Sequence, residues 1–360
     1  MTSTENPDLA PTSGASDAAA AGKAVTAPPL SLMARALRDY QEAGSGVRLR
    51  PPGSPAAILA WERTIGKPLP ASVRELYALC DGAEPRSVYK SLRPMQSSEL
   101  MAHNTQLYAA DAPRALRDHE VAYCFTDDEG NYAGPFVSGP LAGCIVLLDA
   151  SSTRCVPVYW SMQDFIAALA FGLEEDRQWF ELPTQFPAFA SDVSPAQHAR
   201  LAKATAELME LAGNSPDGEA RHRALSRAVS VVPKSQESVL LEILRHSDDQ
   251  EVLAFAAEAV GLGRADAATS LLNDIVHRWI PTSATAAIRA LGLIHSEASK
   301  KCLFTIAQDG KNQWAGTIAG ALERCGCTVQ RHGSGYTYFD PVSGQSGVFP
   351  KGSSFKPVMG

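Results

Sequence analysis

Trp61-Glu62-Arg63-Thr64-Ile65-Gly66-Lys67-Pro68-Leu69-Pro70, followed by Val73-Arg74-Glu75-Leu76-Tyr77 and Asp81-Gly82, is where the chain first commits to a fold. Ser54-Pro55 opens a helix whose Ile58, Leu59, Trp61 and Ile65 recur at helical spacing, and Gly66 ends it, because glycine adopts the left-handed conformation of a helix stop without steric cost. Pro70 opens a second helix over Ala71 to Cys80, with Val73, Leu76, Tyr77 and Leu79 mostly on one face, and Asp81-Gly82 stops it. Two short helices thus flank a proline-punctuated turn.

Upstream, Leu32, Met33, Ala36, Leu37 and Tyr40 predict an amphipathic helix running into Gly44-Ser45-Gly46. Residues 1–29 are rich in Ala, Ser, Thr, Pro and Gly without apolar periodicity, which predicts a disordered leader. It has no basic start and no continuous apolar core, so it does not read as a signal peptide. Downstream, Val88–Met95, Glu120–Phe125, Gly134–Val137, Cys144–Leu148 and Cys155–Tyr159 are short β-leaning runs separated by turn residues, the pattern of an antiparallel sheet. Ser161–Leu173 then predicts a closing helix with Phe165, Ile166, Leu169 and Leu173 inward, and Trp179, Phe180, Leu182 and Phe186 are expected to pack the exit.

From Ser194 the pattern is helical and repeats every 31 residues: Ala228-Val229, Ala259-Val260, Ala290-Leu291 and Ala321-Leu322 keep the step, as do Leu241, Leu272 and Leu303. Each unit reads as helix, turn, helix, and a small residue before an aliphatic lets neighbouring helices approach closely. The tail from Thr328 interleaves Tyr336, Tyr338, Phe339, Phe349 and Phe355 with Gly and Ser, as either a hairpin capping the array or an aromatic arm. The expected organisation is a leader (1–29), an α+β domain with an antiparallel sheet and flanking helices (30–190), an all-α array of helical repeats (191–327), and the tail (328–360).

The residues of the opening stretch, with Asn131-Tyr132 and Ser138-Gly139-Pro140-Leu141 leading into Val146 to Asp149, resemble the SUKH superfamily, the SMI/KNR-like domain. The resemblance covers about residues 52–175. The chain departs from it in having Asp81 where Asn is common and in an insertion around Asp111 to Arg117. The helical half resembles HEAT-like repeats of the phycobilisome-lyase type. The first resemblance implies a binding module, often an immunity protein that neutralises a polymorphic toxin by direct contact; the second implies an extended protein-binding surface. Neither implies catalytic residues or a cofactor.

Among the motif positions, Gly66, Leu69, Pro70, Asp81, Gly82, Gly139, Pro140 and Leu141 are expected to set helix ends and turns. Glu62, near the end of its helix, can bond the following turn or face a partner. Asp127-Asp128-Glu129-Gly130-Asn131 fails as a calcium loop, because the twelfth position counted from Asp127 is Ser138 where a glutamate is needed. An acidic β-turn is the simpler reading.

The chain of 360 residues carries net charge −7, with 32 basic and 39 acidic side chains, which argues against a dedicated nucleic-acid binder. Between Val121 and Glu181 nine acids face only Arg154 and Arg177, a local net of −7. That patch offers Asp127, Asp128, Glu129, Asn131, Tyr132, Glu174, Glu175 and Asp176 as candidate contacts for a protein partner with a basic surface, such as a toxin domain. Seven scattered cysteines and eight dispersed histidines match no metal or nucleophile motif, and Cys325-Gly326-Cys327 lacks further ligands beside it. No apolar run is long enough to span a membrane. The expectation is a cytoplasmic, non-enzymatic binding protein, most concretely an immunity protein, with a housekeeping scaffold or regulatory adaptor as the alternative.

Overall fold

The computed structural model describes residues 31–44, 47–84, 91–107, 120–148, 155–186, 193–278, 280–309, 312–333 and 335–350. The leader, the start of the Val88–Met95 run, the Asp111–Arg117 insertion, Asp149, Arg154 and Phe355 lie outside them. Helix α1 (Leu32–Ala43) is capped by the Ser31 hydroxyl, which accepts the Ala34 N–H at 3.1 Å. Helix α2 (Pro55–Ile65) starts on its proline and stops at Gly66, whose φ of 73° is left-handed. Helix α3 (Ala71–Leu79) packs beside it, with Trp61 meeting Tyr77 edge-on at 6.4 Å, whereas Leu79, two residues on from Tyr77, turns off the buried stripe and is 38% exposed. Two buried phenols anchor this layer to the segment entering the sheet: Tyr40 donates to the Leu92 carbonyl at 3.0 Å and Tyr77 to that of Met95 at 2.8 Å.

The sheet is a five-stranded antiparallel meander, β1 (Arg93–Pro94), β2 (Phe125–Thr126), β3 (Tyr132–Pro135), β4 (Ile145–Leu148) and β5 (Pro157–Tyr159), in that order. The strands are shorter than the β-leaning runs suggest, yet the backbone before β2 still bonds to β3, through Ala122 N–H to Pro135 O and Cys124 N–H to Ala133 O, both at 2.9 Å. Gly134 makes that approach feasible, since a Cβ there would overlap the Ala122 carbonyl.

An additional helix, α4 (Ser97–Leu107), precedes β2. Its mixed composition hid it: Asn104 is buried, donating to the Leu100 and Tyr123 carbonyls, where an apolar residue would be expected. The Arg93 guanidinium grips Glu99 with two bonds of 2.9 Å, and Glu99 also accepts the Gln96 N–H. Helix α5 (Met162–Glu174), capped by Ser161, closes the unit against α1 and β5. Leu182 and Phe186 are buried at its exit as expected, but Phe180 is 60% exposed, because the single turn at Trp179–Glu181 points it outward.

The second half is helical: α6 (Pro195–Asn214), α7 (Gly218–Val231), α8 (Glu237–His246), α9 (Gln250–Leu262), α10 (Thr269–His277), α11 (Pro281–Ile294), α12 (Glu297–Gln308) and α13 (Ala315–Arg324). Helices α7, α9, α11 and α13 lie one against the next, and α8, α10 and α12 likewise. The 31-residue step reappears as a spacing of backbones: Gly261 faces Ala290 and Gly292 faces Ala321 in the same geometry. The chain ends its described part in a second antiparallel sheet, β6 (Thr328–His332), β7 (Gly335–Phe339) and β8 (Ser346–Phe349), which packs on α12 and α13. Tyr338 stacks on Phe304 at 5.0 Å and Phe349 is buried, so these two tail aromatics serve as packing, whereas Phe339 is exposed.

The first half's apolar core runs on into the second. Leu201, Ala204 and Leu208 of α6 and Ala228 and Val231 of α7 are buried in the cluster that holds Phe136, Ile145 and Tyr159. Two arginines reinforce this joint. Arg227 lies 4.6 Å over the Phe136 ring and donates to Glu120, and Arg200 lies 5.2 Å over Trp160 and donates to the Ala142 carbonyl.

Candidate functional site

The motif residues of the opening stretch are consumed in holding their own turn. Glu62 Oε1 accepts the Leu69 N–H at 2.9 Å and the Arg74 Nε and Nη2 at 2.9 and 2.6 Å. The Leu69 amide, with the Arg74 guanidinium, holds the Glu62 carboxyl below its usual range. Leu69 is buried, and Pro70 precedes the first residue of α3. Asp81 accepts the Ser97 N–H at 2.8 Å, tying α3 to α4, while Gly82 has φ 74° with the Met95 and Gln96 backbones so near that a side chain would collide. Gly139 turns the β3–β4 loop at φ 79°, accepting the Ala142 N–H at 3.1 Å, Pro140 is half-buried there, and Leu141 is buried. Lys67 donates to Ser138 at 3.0 Å and so bridges the two motif segments.

The acidic candidates divide by role. Asp127 Oδ1 accepts the Glu129 and Asn131 N–H groups, both at 2.9 Å, and its Oδ2 accepts the Asn131 Nδ2 at 2.7 Å and the Trp179 Nε1 at 3.0 Å. Its carboxylate is thus the organiser of its loop, and Asn131 is buried under it. Asp128 and Glu129 are exposed. Tyr132 is half-buried, its hydroxyl 3.3 Å from His103 Nδ1 and its ring edge-on to Tyr123; burial, with Asp127 nearby, raises its pKa.

The Trp179 bond joins the β2–β3 loop to the segment after α5, where Glu174, Glu175 and Asp176 are exposed, Asp176 at a left-handed φ of 51°. Beside them stand two solvent-facing aromatics that sequence reading did not assign to a surface, Phe171 (43% exposed) and Phe180 (60%). Phe180 packs edge-on to Trp179, and Arg177 covers Phe171 at 5.6 Å. The Trp179–Asp127 bond thus links two segments that expose carboxylates together with aromatic rings.

No family model and no curated protein matches this chain.

Titratable residues elsewhere serve the scaffold. His222, buried in α7, has Nδ1 2.6 Å from Asp249 Oδ2 and Nε2 3.5 Å from Glu251, linking α7 to the start of α9. Burial pushes the Asp249 carboxyl up, but the Val252 amide and His222 outweigh it and hold the group below its usual range. The cysteines are free thiols; burial raises Cys80, Cys144 and Cys325 to about 11, which keeps them protonated and unreactive at neutral pH. Among the described residues no three His, Cys, Asp or Glu side chains gather as a metal site, and no helix is long and apolar enough to cross a membrane.

Proposed function

We propose that this chain is a non-enzymatic, cytoplasmic protein-binding module of the SUKH-like type carrying HEAT-like repeats, and that it acts as an immunity protein occluding a toxin domain with a basic surface. The observation that carries the reading is the Trp179–Asp127 bond, which sets two acidic segments side by side with Phe171 and Phe180 exposed among them. The two-helix turn bracing a meander sheet, closed by α5, supports the family resemblance, and the close glycine–alanine contacts at a 31-residue step support the repeat reading. In this mechanism the carboxylates steer the basic partner into contact and the rings anchor it.

Purification of the tagged full chain from its native cells, with identification of what co-elutes at low and moderate salt, tests the proposal. The expected result is one stoichiometric partner containing a toxic domain with an excess of Lys and Arg, together with toxicity when the gene for this chain alone is deleted. Several housekeeping proteins on a folded bait, and a harmless deletion, would overturn it in favour of an adaptor.

A further inference from the structure

A cleft of about 240 Å³ opens at the joint between the sheet unit and the helices, where the α6 face of Leu208 and Leu211 and the α7 face of Arg223 and Arg227 meet the loop that carries Ser138, Pro140 and Leu141. That volume equals on the order of eight waters, room for a ligand of about the same number of heavy atoms. Its walls differ in kind. One side is apolar, formed by Pro140, Leu141, Leu208 and Leu211, the last half-exposed. The other side carries the guanidiniums of the buried Arg227 and the half-buried Arg223.

Among the described lining residues Glu120 is the carboxylate, and it receives Arg227. Arg223 pairs at 3.1 Å with Glu219, its neighbour one helical turn back, outside the lining. Helix-neighbour pairs of this kind are weak and exchange readily. An apolar wall faced by the guanidinium fork of Arg223 is the pattern that holds a carboxylate with a short aliphatic tail.

We infer that the joint cleft is a binding site for a small amphiphilic carboxylate, with the tail against Leu208, Leu211 and Leu141 and the carboxylate on Arg223. The site is separate from the acidic face and needs no protein partner. Because the lining draws Pro140 and Leu141 from the sheet unit and Leu208, Leu211 and Arg223 from α6 and α7, a bound ligand braces the two against each other.

The test is a titration of the full chain, labelled at leucine methyls, with sodium hexanoate, hexanamide and sodium acetate at equal ionic strength. The expected result is a saturable shift of the Leu141, Leu208 and Leu211 methyls with hexanoate, at least tenfold weaker with hexanamide or acetate. Arg223→Gln, whose unchanged leucine spectrum without ligand would show that it is folded, should erase the preference for hexanoate over hexanamide. Equal binding of hexanoate and hexanamide, shifts scattered over other leucines, no saturable shift, or a preference that survives in Arg223→Gln would each overturn the inference.

Discussion

Gly292 of α11 lies so close to Ala321 of α13 that a Cβ on the glycine would sit 2.8 Å from the alanine Cα and 2.9 Å from its Cβ, and Gly261 stands in the same relation to Ala290. The repeat in the sequence is therefore a repeat of backbone contact: each small residue admits the helix one unit on.

This contact makes glycine better than alanine at a helix-interior position, against the usual preference of about 1 kcal/mol for alanine. Gly292→Ala should destabilise the protein by about 1–3 kcal/mol through overpacking, because the atoms it meets are backbone and Cβ, which cannot swing aside. Gly320→Ala, also within α13 but with nothing within 4 Å of the new methyl, should stabilise by about 0.5–1 kcal/mol. Urea midpoints of the two variants check this; a gain at Gly292 would show that α11 and α13 are not held at this spacing.

The joint makes an asymmetric prediction. Glu120→Ala takes a carboxylate from a guanidinium that burial already pushes down to about 10, and should cost about 1–3 kcal/mol, the range for removing one hydrogen-bond partner of a buried polar group. Arg227→Met removes the buried charge, keeps much of the contact on Phe136 and leaves Glu120, which is 42% exposed, to water, so it should cost less than half as much. Thermal unfolding of both variants measures the order. Equal losses would mean that the pair acts through its geometry and not through the burial of Arg227.

Most of the element order was legible because local signals agree with the packing: Gly66 and Ser161 end and begin helices where the chain reads that way, and the 31-residue step predicts which helices touch. What escaped had no local signal. Helix α4 buries Asn104 instead of an apolar stripe, so its place depends on the carbonyl of Tyr123, which is distant in sequence. Phe180 reads like a core residue, and only the turn that Trp179 makes toward Asp127 sets it outside. In the acidic loop, composition could not separate Asp127, which serves the fold, from Asp128 and Glu129, which face solvent.

The tail sheet carries an acid-sensitive latch. Asp340 is buried, accepts the Ser343 hydroxyl and the Val342 and Ser343 N–H groups, and lies 3.4 Å from the Lys300 ammonium. The Ser343 bond outweighs burial and, with the Val342 amide and Lys300, holds its carboxyl below the usual range. A depressed carboxylate stabilises above its unfolded pKa of about 3.9 and loses that contribution as pH falls through the lower folded value. Hydrogen exchange of the β7 and β8 amides should therefore accelerate, relative to α9, below about pH 4. Asp340→Asn should exchange faster at neutral pH and show no further change in that acid window.

The division of labour in the acidic face yields the sharpest test of the proposed function. Asp127→Lys removes the acceptor of four hydrogen bonds, so it should destabilise by about 2–3 kcal/mol and disturb the loop irrespective of any partner. Asp128→Lys combined with Glu129→Lys changes the local charge by four units on exposed side chains and should leave stability within about 0.5 kcal/mol. Against a basic toxin domain, that double variant should associate about tenfold more slowly at low salt, with a flattened salt dependence and little change in dissociation. Adding Phe180→Ala should instead raise the dissociation rate, because an exposed ring acts after contact and not before it. An association rate at low ionic strength that ignores the charge reversal, measured on a variant with unchanged melting, would remove the acidic face from the binding mechanism.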